Sequence, residues 1–490
     1  MNRKGKWKKL APVALSLALV LPTLAACTAA KTQDTNKETV LRIASGYGPD
    51  DEYFRSQFTE VFEFANPNIK IEVVPLFEEK YRYQPPQPNE KPEDPYVKMK
   101  EVLEGANPPD IVMIGYEQMP NLITDNLLQP LDPLMQKDKF DTTDFVPAVI
   151  EGLKKLGDGK VYALSPLFSS TALVYNKKLF ADAGVPVPTD NMTWDQVFDL
   201  AKRLTKGEGE NKTFGLAFSN YSSKENLFFE LQNYTAPLQL SIYDDAGEKM
   251  TVDSDQWERV WTKMLDLYKS GIFPEPPDYN KMRQGGPQTF RPFEGDSFLS
   301  GRVAMVVSHF GYLNEVMNAN KNAANINGFT PVDWDVVTMP THPEAPGVGG
   351  NIYYNGLMGI NAKAQNPDDA WKFLKFINGE DWAKLKSRSA QQLVSRKSYI
   401  KPKDGLNYNI AAFYQLTPAP MPNNMKLYRE KPYIGQAQGV GQQYFMQMIQ
   451  GNKSPREALK EWQAEGDKLL QQMKDNPNQP INMRTRAIRG

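Results

Sequence analysis

The chain has 490 residues, 40% hydrophobic and 11% aromatic, which is enough for a packed core in two or three domains or in one large two-lobed body. Its formal net charge is −1, and setting aside the first 26 residues, with five basic and no acidic side chains, leaves −6. Such a mildly acidic body lacks the clustered positive surface that a nucleic-acid partner needs. One cysteine and two histidines, His309 and His342, leave no disulfide, no His-based zinc site and little for a Ser-His-Asp arrangement. No cofactor and no metal are expected, and any catalysis would have to run on carboxylates, Lys or Tyr.

Arg3, Lys4, Lys6, Lys8 and Lys9 precede an apolar run over residues 11–24, interrupted by Pro12 and Pro22. The run is shorter than the roughly 18 apolar residues that span a bilayer and has the order of a secretory signal. It ends in Leu24-Ala25-Ala26-Cys27, which holds the only cysteine of the chain. A thiol is nucleophilic enough to take up a diacylglyceryl group by thioether formation. Leu-Ala-Ala-Cys resembles the bacterial lipobox, and that resemblance makes residues 1–26 a signal peptide and Cys27 the lipidated first residue of the mature protein. The plainer reading is an ordinary signal peptide with an incidental cysteine. Residues 27–39 then read as a flexible tether, a coil on the order of 20 Å between its ends.

Order begins at Val40. Residues 40–44 are β-rich, and Phe54, Phe58, Val61, Phe62 and Ala65 fall on one face of a helical pattern. Residues 69–74 alternate as a strand, and the proline-rich stretch 81–95 reads as a surface loop. Residues 110–115, 160–164, 172–175 and 214–218 read as further strands. Thr193 and Gln196 form a capping box opening a helix through Leu204, and residues 244–247 are a hairpin turn that lacks the spacing of a calcium loop. Helices are expected over 257–268, from Pro367 to Ile377, and from Pro455 onward, with Trp257, Trp261 and Trp371 in the core. Strands alternating with helices imply an α/β fold with parallel strands, and ligands in such folds sit beyond the carboxyl ends of the strands.

Several phrases, in order, carry a resemblance. They are Asn107-Pro108-Pro109-Asp110-Ile111-Val112, Leu127 to Asp132, and Asp158 to Leu164 followed by Leu173 to Phe180. The series continues through Ala183-Gly184-Val185-Pro186, Thr193-Trp194-Asp195, Phe298 to Met305, and Gly349-Gly350 with Gly356 to Asn361. Together they resemble the extracellular solute-binding proteins of carbohydrate ABC transporters, the maltose-binding-protein-like group, from Val40 to about Gln471. The resemblance implies a two-lobed periplasmic-binding-protein-like (type II) α/β fold, each lobe a mostly parallel sheet flanked by helices, joined by crossing hinge strands. It places residues 40–167 and about 357–403 in one lobe, and about 168–356 and 404–490 in the other. Crossings fall near 166–171, 354–357 and 399–405. The function implied is that of a monomeric, lipid-anchored binding component on the outer face of a bacterial cell membrane. It would close on an oligosaccharide and hand it to permease subunits, with no enzyme activity. Where the family often places a tryptophan for the sugar, this chain reads Ser308-His309-Phe310-Gly311-Tyr312.

Sugar recognition needs flat aromatics for C–H faces and polar groups for hydroxyls. The candidates lie past strand ends and at the crossings. They are Tyr47; Tyr116 and Glu117; Phe168, Ser169 and Ser170; His309, Phe310 and Tyr312; and Asn351, Tyr353 and Tyr354. Each aromatic can equally be core, and of the consecutive Tyr353 and Tyr354 at most one faces a cleft. A surface-anchored glycoside hydrolase, needing two carboxyls about 5–10 Å apart, is the alternative, though no local pattern nominates a pair. A ligand sensor of the same fold is a third reading.

Overall fold

A computed structural model describes residues 38–78, 80–84, 94–276, 292–388, 391–419, 427, 431 and 434–475. The signal, Cys27, most of the tether and the centre of the proline-rich stretch lie outside the described residues. The strands are β1 (Thr39–Ser45), β2 (Ile69–Pro75), β3 (Ile111–Met113), β4 (Ala163–Leu164), β5 (Leu167–Asn176) and β6 (Phe214–Ala217). They are followed by β7 (Val303–His309), β8 (Trp334–Val337), β9 (Ile352–Asn355), β10 (Met358–Ile360) and β11 (Leu393–Val394).

One sheet runs β2-β1-β3-β10-β4, with β1 parallel to β2 and β3, and β10 antiparallel to β3 and β4. The other is built around the ten-residue β5, whose neighbours β7, β8, β9 and β11 all run antiparallel to it, while β6 and β7 are parallel. The α/β class expected from the sequence holds, but the sheets are mixed. β5 enters the second sheet directly from β4 of the first and runs against β7, β8, β9 and β11, so parallel pairing does not dominate the second sheet.

β5 is buried along nearly its whole length. Its first residues, Leu167 to Ser170, pair with β9, and Thr171 to Tyr175 pair with β7. The chain passes from β4 to β5 through Ser165 and Pro166, and returns from β9 to β10 through Gly356 and Leu357.

Local sequence explains many of the helices. Thr193 and Gln196 form the expected reciprocal cap on Trp194–Leu204, with Thr193 Oγ1 accepting from Gln196 N at 3.3 Å. Pro367 opens Pro367–Ile377 at a position where its missing N–H costs nothing. The turn after Tyr243 closes through a bridge to Met250 and bonds from Gly247 and Lys249 back to Asp244. One apolar core joins the first sheet, its helices and one face of the second sheet. A separate core fills the other face, where the Trp261 and Trp462 rings stack at 5.6 Å. Trp257 and Trp371 are buried as well.

Candidate functional site

β3 delivers the chain to one wall of a large cavity at its carboxyl end. Gly115 N donates to Gln118 Oε1 at 2.9 Å, which tightens the turn Tyr116–Gln118 and sets Tyr116 and Glu117 on the cavity side. The second wall is the helix Pro147–Leu156, started by a proline and held by Val146 N donating to Ser395 O at 2.8 Å. Its apolar residues Val149, Ile150 and Leu153 are buried, so Ala148, Glu151, Gly152 and Lys155 face the cavity at helical spacing. The third wall comes from β9, through Ile352 and Tyr354, and from residues 414–419. That last segment is tied to the Gly347–Gly350 turn by Thr417 N donating to Gly347 O, Gly349 N to Thr417 O and Ala419 N to Gly350 O, at 3.0, 3.0 and 3.1 Å. With Lys397 at the rim, the described residues enclose a cavity of about 810 Å³.

Two tyrosines from different walls meet here. The rings of Tyr116 and Tyr354 lie 4.9 Å apart and 10° from parallel. Burial pushes both hydroxyls above the ordinary tyrosine range, reinforced at Tyr116 by the Glu117 carboxylate and at Tyr354 by Tyr116 itself. Burial does the same at Tyr414. All three phenols stay neutral and able to donate near neutral pH. Among the described residues, the Tyr116, Tyr354 and Tyr414 hydroxyls, the Glu117 carboxylate and the Lys155 and Lys397 ammonium groups make no hydrogen bond or ion pair within the protein. Polar groups facing a concave, largely apolar wall without internal partners are what a polar ligand would satisfy.

Of the sequence candidates, the structure brings Tyr116 and Glu117 into this cavity. Tyr47 packs on Tyr53 and Phe54 instead. Phe168 is fully buried within β5, Ser169 Oγ accepts from Asn355 Nδ2 at 3.0 Å, and buried Ser170 accepts from Phe310 N through its carbonyl at 3.2 Å. His309 is exposed at the end of β7. Phe310 is 1% exposed and meets Phe413 edge-on, and Tyr312, equally buried, donates to both oxygens of Asp296 at 2.9 Å. Asn351 is half-buried beside the cavity, while Tyr353 turns to solvent and its neighbour Tyr354 lines the wall. The Pro147–Leu156 helix, Lys397 and residues 414–419 were not among the candidates. Pro147 with buried positions at 149, 150 and 153 is a readable helix signal, whereas residues 414–419 carry no periodic pattern at all.

Residues 45–384 match the family model of bacterial extracellular solute-binding proteins. The chain belongs to that family. This bacterial extracellular solute-binding protein is 24% identical over 387 residues to a putative binding protein of Brucella abortus, covering 78% of this chain and 81% of the relative. The solved sugar-binding protein MalE from Xanthomonas citri shares its fold with a TM-score of 0.58 and 18% identity, over 90% of this chain and 100% of that one. An ABC substrate-binding protein from Listeria monocytogenes, solved with cycloalternan, aligns with a TM-score of 0.53 and 20% identity, over 89% and 99% of the two chains. The fold is thus the two-lobed, maltose-binding-protein-like one. Family membership makes this a binding protein of the extracytoplasmic space and not an enzyme.

Proposed function

We propose that this solute-binding protein is the receptor of an ABC importer, that it takes an oligosaccharide into the cavity between Tyr116, the Pro147–Leu156 helix and residues 414–419, and that lobe closure about the crossing strands retains the ligand for the permease. One observation carries the reading: an aromatic wall stands beside phenol, carboxylate and ammonium groups that lack partners among the described residues. Tyrosine faces suit the C–H surfaces of a pyranose, and the unsatisfied groups suit its hydroxyls. The roomy cavity supports more than one sugar unit, and the Listeria protein of similar fold was solved with cycloalternan. The signal grammar around Cys27 supports lipid anchoring, which would keep the receptor at high effective concentration near a membrane permease.

The test is thermal unfolding of the mature domain against neutral and acidic oligosaccharides, the acidic ones included because the Lys155 and Lys397 ammonium groups have no partner among the described residues. A saturable rise in Tm with at least one sugar, reduced at least tenfold in affinity by Tyr116→Ala, is expected. No stabilisation by any sugar, or a stabilisation insensitive to Tyr116, removes the reading. In cells, Cys27→Ser should shift the protein from the membrane fraction to the medium with its ligand response intact.

A further inference from the structure

We infer that Gly152 is a positioning residue, whose missing side chain is what allows Tyr354 to lie flat on Tyr116 and complete the aromatic wall. This deepens the reading of the same cavity, but its test uses no sugar, so the two can fail separately.

Gly152 occupies the interior of the ten-residue helix Pro147–Leu156. Glycine is a poor residue there, because it surrenders the most backbone freedom on helix formation. Its backbone is ordinary right-handed helix and is not among the positive-φ glycines, so conformation gives no reason for it. Space does. A Cβ built on Gly152 would run into the Tyr354 hydroxyl. That hydroxyl has no hydrogen-bond partner among the described residues, so no bond holds it against the helix. Its place is set by shape alone, with the bare helix backbone at its tip and the Tyr116 ring along its face at 4.9 Å. Tyr354 cannot easily retreat, since its strand β9 is fixed in register on β5, Tyr354 opposite Phe168 and Ile352 opposite Ser170. An added methyl group would therefore swing the phenol off Tyr116.

Hydroxyl-radical footprinting of Tyr116, read by mass spectrometry on the full mature chain, tests this without any ligand. In Gly152→Ala, labelling of Tyr116 should rise at least threefold as the covering ring leaves. In Tyr354→Phe, which keeps the ring and drops the clashing oxygen, labelling should match wild type. The double variant should also match wild type and melt at or above Tyr354→Phe alone, because the helix then gains from alanine. Unchanged labelling in Gly152→Ala, or a rise that persists in the double variant, overturns the inference. Should Gly152→Ala fail to fold, recovery of folding in the double variant supports the inference, and failure of both overturns it.

Discussion

Phe310 shows how far a single side chain can be read from its neighbours in sequence. Its place after β7 puts it at a strand end, where a ligand ring could stack. In the structure it is 1% exposed, set edge-on to Phe413 at 5.5 Å with Lys403 Nζ 5.2 Å above its face. Phe310→Ala should therefore cost about 3–5 kcal/mol in urea unfolding, the range for deleting a buried phenyl ring. Affinity for a sugar that binds the cavity should change by less than about threefold. A large affinity loss at unchanged stability would instead place the ring in the site. The same limit governs Tyr353 and Tyr354. Strand periodicity says that only one faces the cavity, but the register that chooses Tyr354 is fixed by the pairing of β9 with β5, a contact between residues far apart in sequence. Tyr116 and Glu117 were legible because β3 announces its own end and the turn after it is local.

The stretch after β1 makes the corresponding point for an element. Phe54, Phe58, Val61, Phe62 and Ala65 were expected on one face of a regular helix. The structure keeps Phe54, Phe58 and Phe62 buried but exposes Ala65 and half-exposes Val61. Residues Arg55–Thr59 form a wide π-type turn, with Glu60 N donating to Arg55 O. Three rings at four-residue spacing drift by about 40° per step on an ideal helix, and a wider turn takes up that drift. Residues after it rotate, carrying Val61 and Ala65 outward. Lys386 reaches over from the helix Glu380–Lys386 and donates to Ser56 O at 2.9 Å and Gln57 Oε1 at 3.4 Å. Burial holds its ammonium group below the ordinary lysine range, which offsets part of what those bonds contribute. Lys386→Met should thus lower stability by only about 1 kcal/mol. It should speed amide exchange within residues 55–61 more than elsewhere in the first sheet. Uniform exchange across the lobe would mean that Lys386 does not brace the turn. Regular helices and caps were readable from local pattern; a π-turn answers to the partners it packs against.

At the scale of the whole molecule, the two sheets communicate through few covalent passages, and the wide turn bears on one of them. Gly356 carries the chain from β9 back to β10 with φ at 74°, and a Cβ there would collide with the Phe58 ring. Two costs are therefore separable. Alanine at a left-handed position costs roughly 1–2 kcal/mol by itself, and displacing Phe58 adds to it. Phe58 is 3% exposed, so Phe58→Ala alone should cost about 3–5 kcal/mol. In the double variant the collision is gone and only the backbone cost of Gly356→Ala remains. Equilibrium unfolding of the four proteins should then give a combined loss smaller than the sum of the single losses by at least about 1 kcal/mol. Additive losses would show that the ring does not press on the crossing. Coupling would show that the helix after β1 holds this passage between the sheets from outside, so that any change in lobe angle about Gly356 must also move Phe58 and the turn that Lys386 braces.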